Sequence, residues 1–457
     1  MNASRKLSYL VAMNSYKILR HSIHTSASAN VASSQSELLS EKLIKPSTPT
    51  PPHLKSYKLS HLDQLTTGTY SAMAIFYPKT CFTRDTNNQI SHVLEKSLSE
   101  TLANYYPFAG RLAGNIAVEC NDGGASFSEV RINRPMSDIM AKPDANAEDL
   151  LFPSGSRWGY DKQDCLMYIQ LSHFECGGKA IGLSTSHKIC DGCTFTNFLN
   201  DWASITRGLK PDLPHLNGAS LLPPVNDLPH SPSLELPKEP VMNKRYLFNA
   251  DSMSRLKAHV AADSKVKNPS RVEVITALLY KCAMAATTTS SAGIFKPSNM
   301  LHVVNLRQVT TPTIPPKTFG NFYYYWDISI ANEEQMNISR LVNELRSKKQ
   351  EFFERCRGLK PSELSSVALE SDEKTKLFPE HDIYLSSSFL GFPWWMDFGW
   401  GKPVKAIFPS VDSKNVLFQM ENYDGVGVQV QVTLDDKVMP IFEKEEEILA
   451  FASDQSS

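Results

Sequence analysis

The tightest constraint on the fold of this 457-residue chain is a corner at residues 180–192. Residues 180–186 read as a strand, with Ile181, Leu183 and Thr185 on one face and His187 continuing that face at its end. Downstream, Phe195, Phe198, Leu199, Trp202 and Thr206 recur at helical spacing, and Gly208 supplies a stop. Between the two stands Ser186-His187-Lys188-Ile189-Cys190-Asp191-Gly192. A strand that turns straight into a helix can hold a reactive side chain in a cleft on a rigid support. Histidine is the side chain best matched to taking and returning a proton near neutral pH. Asp191 is expected to fix the turn, and Gly192 to admit a backbone conformation closed to other residues. The plain alternative is a strand-end histidine followed by an ordinary helix entry.

The rest of the chain mixes α and β. Residues 56–77 alternate loosely and read as strand-rich. Ile90, Val93, Leu94, Leu98 and Leu102 mark an amphipathic helix that ends before Tyr105-Tyr106-Pro107. Residues 166–174 and 180–186, joined through Cys176-Gly177-Gly178, read as a hairpin whose second strand delivers His187. From 211 to 240 the chain carries eight prolines and no apolar period, which reads as a stiff, extended linker between two halves. In the second half, Ser270 and Glu273 form a capping box ahead of Val274, Ile275, Leu278, Leu279 and Cys282. Ile338, Leu341, Val342 and Leu345 begin a long charged helix. Residues 404–408, 416–420 and 426–434 read as strands, the last two joined through Asp424-Gly425. One further helix is expected from Pro440 to about Ala452. No glycine-rich phosphate loop follows a strand, and strict βα alternation is absent.

Several function classes fall away on composition. Net charge is −1 with no basic stripe, which argues against nucleic-acid binding. No apolar run reaches the roughly 18 to 20 residues that span a bilayer. Eight cysteines lack the spacing of a disulfide framework and fit reduced thiols in an intracellular compartment. Cys190 and Cys193 form a Cys-x-x-Cys, but no second pair or metal-spaced histidine accompanies it, so no metal is expected. Residues 1–36 hold Arg5, Lys6, Lys17 and Arg20 with no acid before Glu37. That composition suits a mitochondrial or plastid transit peptide and lacks the apolar core of a secretory signal. A disordered extension, with Met13 as an internal start, is the other reading.

A second motif, Asp397-Phe398-Gly399-Trp400-Gly401-Lys402-Pro403, looks like a tight turn bent around a packed indole. None of its residues is a good acid, base or nucleophile. Together, His-x-x-x-Asp-Gly in mid-chain and this second motif resemble the plant BAHD acyltransferases. The resemblance runs from about Lys42 to the C-terminus. It includes Ile44-Lys45-Pro46-Ser47-Thr48-Pro49-Thr50-Pro51, Tyr106-Pro107-Phe108-Ala109-Gly110-Arg111, Asn305-Leu306-Arg307 and Phe319-Gly320-Asn321. Within the family it is most similar to the branch that acylates alkaloid alcohols, capsaicinoid precursors and sugar hydroxyls.

The resemblance implies an α/β fold of two chloramphenicol-acetyltransferase-like domains with mixed sheets and an active-site channel at their interface. On that reading residues 37–210 form the domain carrying His187, 211–240 the crossover linker, and 241–457 the domain carrying the Trp400 motif. It further implies a cytosolic monomer that binds no permanent cofactor and uses acyl-CoA as co-substrate with a small hydroxylated acceptor. Asp191 is expected to pair with Arg307 and hold the loop; the plain reading of Arg307 is a surface cation. Asp397, Trp400 and Gly401 are expected to be structural, supporting the coenzyme A side at a distance.

Acyl transfer from a thioester to an alcohol needs a base, a donor for the oxyanion and a dry tunnel. His187 serves as base and then returns the proton to the departing thiolate. No cysteine has the local context of a nucleophile. Where the family often carries Ser-Trp ahead of the second motif, this chain has Ser386-Ser387-Ser388-Phe389, so an indole N–H is lost. Ser388 and Phe389 remain candidates for the oxyanion or acyl pocket. Three rivals stay open: an amine acceptor, a peptide condensation domain, and a non-catalytic binding protein on the same fold. Condensation domains usually carry two adjacent histidines, which Ser186 argues against, and the intact His187 and Asp191 weigh against a binding protein.

Overall fold

Two mixed sheets organise the molecule, with most apolar positions of their inner strands buried and Leu38, Leu39 and Leu43 exposed on the edge strand Ser36–Ile44. In the computed structural model, residues 35–141, 144–153, 165–225, 240–367, 380–394, 396–422 and 425–454 are described. The proposed transit segment up to residue 34, linker residues 226–239 and Asp424 of the expected hairpin turn lie outside the described residues.

The first sheet has six strands in the order Ser36–Ile44, Ala125–Ile132, Met167–Phe174, Lys179–Ser186, Tyr70–Tyr77 and Lys405–Ile407. Ala125–Ile132 and Met167–Phe174 are parallel; the other pairs are antiparallel. Lys179–Ser186 is buried at every position, as befits a central strand covered on both faces. One cover is the pair of helices Arg84–Asn104 and Gly192–Thr206, which bury Leu94, Leu98, Leu102, Phe198, Leu199 and Trp202. The 3.6-residue spacing of those side chains puts them on one stripe of each helix.

The second sheet has seven strands: Tyr323–Ile330, Ser298–Asn305, Asp382–Ser388, Val416–Glu421, Val428–Asp435, Val241–Phe248 and Ser453–Asp454. Helices Ala250–Asp263, Arg271–Ser290 and Ile338–Cys356 contribute to its core. The expected capping box forms: Ser270 N–H donates to Glu273 at 2.7 Å and Glu273 N–H to Ser270 Oγ at 3.2 Å. Arg346, from Ile338–Cys356, binds the same carboxylate, so the cap also ties two helices together.

Four sequence expectations change. Residues 56–77 are not strands throughout: Ser56–Lys58 joins a small separate sheet, and His61–Leu65 is a helix begun by a Ser60/Asp63 capping box. The stretch 211–225 is not a plain extended linker. Pro214 and Pro223 leave a proline-free interval that folds into the short helix Gly218–Leu221, and Leu222 is fully buried in the second core. The final helix is broken into Met439–Phe442 and Glu446–Phe451. Met439 and Ile448 are both buried, yet nine residues on one straight helix turn through about 180°, so a break is needed for both to face the core. Finally, residues 241–457 do not stay with the second sheet. Lys405–Ile407 pairs with Tyr70–Tyr77 in the first, and Trp394, Met396, Phe398 and Trp400 pack in the first core. Apolar side chains decide this: the Trp400 turn has its aromatic neighbours there. No described helix is long and apolar enough to cross a membrane.

Candidate active site

The strand Lys179–Ser186 ends where its neighbour begins. His187 N–H donates to Thr69 O at 2.8 Å, which carries the sheet register one residue past the strand. The chain then turns, and Asp191 caps the helix Gly192–Thr206 by accepting from Thr194 N–H at 2.8 Å. The same carboxylate accepts Phe322 N–H at 3.0 Å and a two-pronged pair of bonds from Arg307, at 2.7 and 3.1 Å. Arg307 is 1% exposed and also donates to the carbonyls of Thr318 and Gly320, so it is not a surface cation. Burial alone would raise the Asp191 carboxyl; Arg307 and the N–H donors hold it below the usual carboxylate range. The Asp191 oxygens are committed to Arg307, Thr194 and Phe322 and make no bond to the His187 ring.

Asn321 takes that place instead. Its Oδ1 lies 3.2 Å from His187 Nδ1, and its Nδ2 donates to His187 O at 2.7 Å and to Asp63 Oδ1 at 2.8 Å. With the amide oxygen facing the ring, Nδ1 carries the hydrogen and Nε2 presents a lone pair. Burial pushes the imidazole below its ordinary value, so it is neutral at pH 7. The ring of Tyr323 lies beside it, centroids 5.4 Å apart. Lys188 is buried next to His187 and donates to Gln64 O at 3.0 Å and Asn115 Oδ1 at 2.8 Å. It ties the C-terminal end of the short helix His61–Leu65 to the histidine turn, and burial pushes its amine down to about 8.

Gly192 serves a purpose other than the one its sequence suggested. It lies outside the left-handed region, as the first residue of an ordinary helix. A Cβ there would come within 2.8 Å of the Phe389 ring, so glycine is needed for close approach. Phe389 itself stands among Phe392, Trp394, Phe408 and Phe418. It is thus brought to the motif turn. Ser388 is not joined to His187; its hydroxyl accepts from Leu390 N–H at 3.4 Å. Trp394 places an indole in the same cluster, with its N–H donating to Phe389 O at 3.1 Å.

In the second motif, Asp397 Oδ1 accepts the N–H groups of Gly399 and Gly401 at 2.8 and 2.9 Å. Both glycines lie at φ above +100°, where a side chain would be strained. Trp400 stacks on Phe398 and meets Tyr77 and Phe82. The turn therefore locks a crossing segment into the first core and has no ring contact or hydrogen bond with His187. Cys190 and Cys193 are both pushed up by burial and remain thiols at neutral pH.

Sequence reasoning missed Asp63, Lys188 and Tyr323, and it saw Asn321 only as part of a family motif. Ser60-x-x-Asp63 is readable as a capping box, but nothing local places it against a histidine more than a hundred residues away.

The Transferase family profile matches residues 35–449. A 17,18-epoxy-17-hydroxycur-19-ene N-malonyltransferase of Strychnos nux-vomica is 39% identical over 430 residues, 93% of this chain and 92% of that protein. Acylsugar acyltransferase 3 of Solanum lycopersicum is 36% identical, across 92% of this chain and 98% of its own length. The crystal structure of vinorine synthase superposes with a TM-score of 0.81 at 30% identity, covering 93% of this chain and all of that one.

Proposed function

The chain belongs to the Transferase family of BAHD acyltransferases and is an acyl-transferring enzyme; from that premise we propose that it moves an acetyl or short acyl group from acyl-CoA to a hydroxyl of a plant specialised metabolite, an alkaloid alcohol or a sugar ester, with His187 as general base. The observation that carries this reading is the His187 imidazole, neutral and with Nδ1 held by Asn321, which leaves Nε2 free to take a proton. In the reaction Nε2 removes the hydroxyl proton as the oxygen attacks the thioester carbonyl. The C–O bond forms, the tetrahedral intermediate collapses, the C–S bond breaks, and the imidazolium returns its proton to the coenzyme A thiolate. Asp191 and Arg307 act by holding the turn, and Asp397, Trp400 and Gly401 by holding the crossing segment. Phe389 is the pocket candidate that adjoins the motif; Ser388 is the weaker one, since its hydroxyl is bound within its own loop.

On this reading, residues 37–210 together with the crossing segment that carries Trp400 and Lys405–Ile407 supply one domain, the remainder of 241–457 the other, and the channel runs between them. The monomer expected from the family resemblance is kept as part of this reading. The cytosol is the proposed working compartment on the family resemblance, with a mitochondrion or plastid, reached through residues 1–36, as the alternative; a fluorescent reporter fused to residues 1–36 would separate the two. A second reading, transfer to an amine, is supported by the Strychnos relative, whose name makes it an N-malonyltransferase.

The test follows thiol release from acetyl-CoA with a panel of plant alcohols and amines. His187→Ala should lower kcat by roughly 10²–10⁴, the scale of a lost general base, with the fold intact. Double-reciprocal plots should intersect, because a mechanism without an acyl-enzyme needs both substrates bound together. Near-normal turnover in a folded His187→Ala protein, or parallel plots with an acylated chain, would overturn the mechanism.

A further inference from the structure

We propose that Asp63 is a positioning residue for this reaction: its buried carboxylate dictates which way the Asn321 amide faces, and so which nitrogen of His187 is left free to act. The inference rests on the reading of His187 as the base.

Asp63 is fully buried and its two oxygens accept four hydrogen bonds. Oδ2 takes Ser60 N–H at 2.8 Å, which with Asp63 N–H on Ser60 Oγ at 3.1 Å completes the capping box, and it also takes Ser60 Oγ–H at 2.7 Å. Oδ1 is surplus to the cap. It takes the Asn321 backbone N–H at 2.7 Å and the Asn321 side-chain Nδ2 at 2.8 Å. These bonds join residues 258 positions apart, so a local capping role does not account for them.

The rest follows from donor and acceptor counting. A carboxylate only accepts, so it faces the NH₂ of Asn321 and never its oxygen. The second N–H of that amide goes to His187 O at 2.7 Å. Both amide hydrogens are then used, and the oxygen is the atom left towards the ring, 3.2 Å from Nδ1. An oxygen there requires hydrogen on Nδ1. The lone pair is therefore on Nε2, the nitrogen available to the substrate. Burial pushes the Asp63 carboxyl up to about 6, which still leaves it ionised at neutral pH. Lys188 adds rigidity, because its ammonium holds the carbonyl end of the same short helix against the histidine turn. An asparagine at position 63 could present either face to Asn321, and the chain of constraint would end there.

The experiment uses the full-length protein labelled with ¹⁵N-histidine, with the His187 signals assigned by their loss in His187→Gln. The wild-type ring should carry its proton on Nδ1. In Asp63→Asn the ring should show a mixture of tautomers, and kcat should fall roughly 10- to 100-fold with KM little changed, the scale of a lost charge-assisted hydrogen bond. Ser60→Ala weakens the same cap without touching Asn321; it should lower the melting temperature and leave tautomer and kcat as they were. A wild-type His187 protonated on Nε2 overturns the proposal even if Asp63→Asn does not fold. So does Asp63→Asn with normal turnover, or Ser60→Ala losing as much kcat as Asp63→Asn. If His187→Ala is inactive while Asp63→Asn is normal, only the Asp63 role fails; if His187→Ala is active, the base assignment itself fails.

Discussion

At the scale of single residues, the site divides its two acidic groups by task. Asp191, which the motif spacing makes the obvious partner of His187, spends its oxygens on Arg307, Thr194 and Phe322. The ring is held instead by an uncharged amide. That difference has a consequence for pH. A carboxylate against Nδ1 would raise the imidazole, whereas burial here lowers it from the ordinary 6.5. The neutral base therefore persists below the pH at which a free histidine becomes charged. The acid limb of kcat/KM should have its midpoint below 6.5, and His187→Ala should remove that limb from whatever activity remains. The sign for stability agrees: a depressed histidine stabilises the fold above its unfolded value, and that contribution is lost as pH falls from 6.5 through the folded value. A midpoint at or above 6.5 would mean that a charged partner faces the ring.

At the scale of elements, the corner between strand and helix is built by close approach. Gly192 begins the helix at ordinary angles, and the Phe389 ring lies where its Cβ would be. Phe389 is wedged among Phe392, Trp394, Phe408 and Phe418, so it cannot swing aside cheaply. Gly192→Ala should therefore destabilise by about 1–3 kcal/mol through overpacking, despite alanine's better helix propensity. Adding Phe389→Leu should recover part of that loss, a non-additivity measurable by urea unfolding of both single variants and the double. Equal stability of Gly192→Ala and wild type would show that the ring does not sit there. The same corner shows what sequence can and cannot reveal. The hairpin into His187, the Ser270/Glu273 cap and the helix beginning at Ile338 were readable, because each depends on neighbours within a few residues. The broken helix near the C-terminus was not, since the break depends on where the core lies relative to Met439 and Ile448. The partners of His187 were hidden for the same reason. Asn321 is 134 residues from His187 and 258 from Asp63, and no local period encodes such pairings.

At the scale of the whole molecule, two buried ion pairs bridge the halves. Arg307 to Asp191 ties the second half to the histidine turn, and Arg245 to Glu148 ties the strand Val241–Phe248 to the helix Ala145–Asp149. The second pair also catches the crossing segment: Arg245 donates to Phe408 O at 3.0 Å, and Glu148 accepts Ser410 N–H at 2.6 Å. Arg245 is 2% exposed and Glu148 fully buried, so neither charge has water to fall back on. Such a pair adds little over an apolar replacement, but losing one member strands the other. Arg245→Met should thus cost roughly 3–5 kcal/mol, because a buried carboxylate keeps the Ser410 N–H but loses its paired guanidinium. Changing Glu148→Gln in the same chain should return most of that loss, since the amide oxygen still accepts from Ser410 while the charge is gone. Thermal unfolding of the two single variants and the double gives the answer. A single Arg245→Met variant as stable as wild type would mean that this pair adds nothing to the joint between the halves. A large loss that Glu148→Gln repairs would place the cost in the uncompensated charge, and would show that apolar packing and the Ser410 N–H bond hold the crossing segment once that charge is gone.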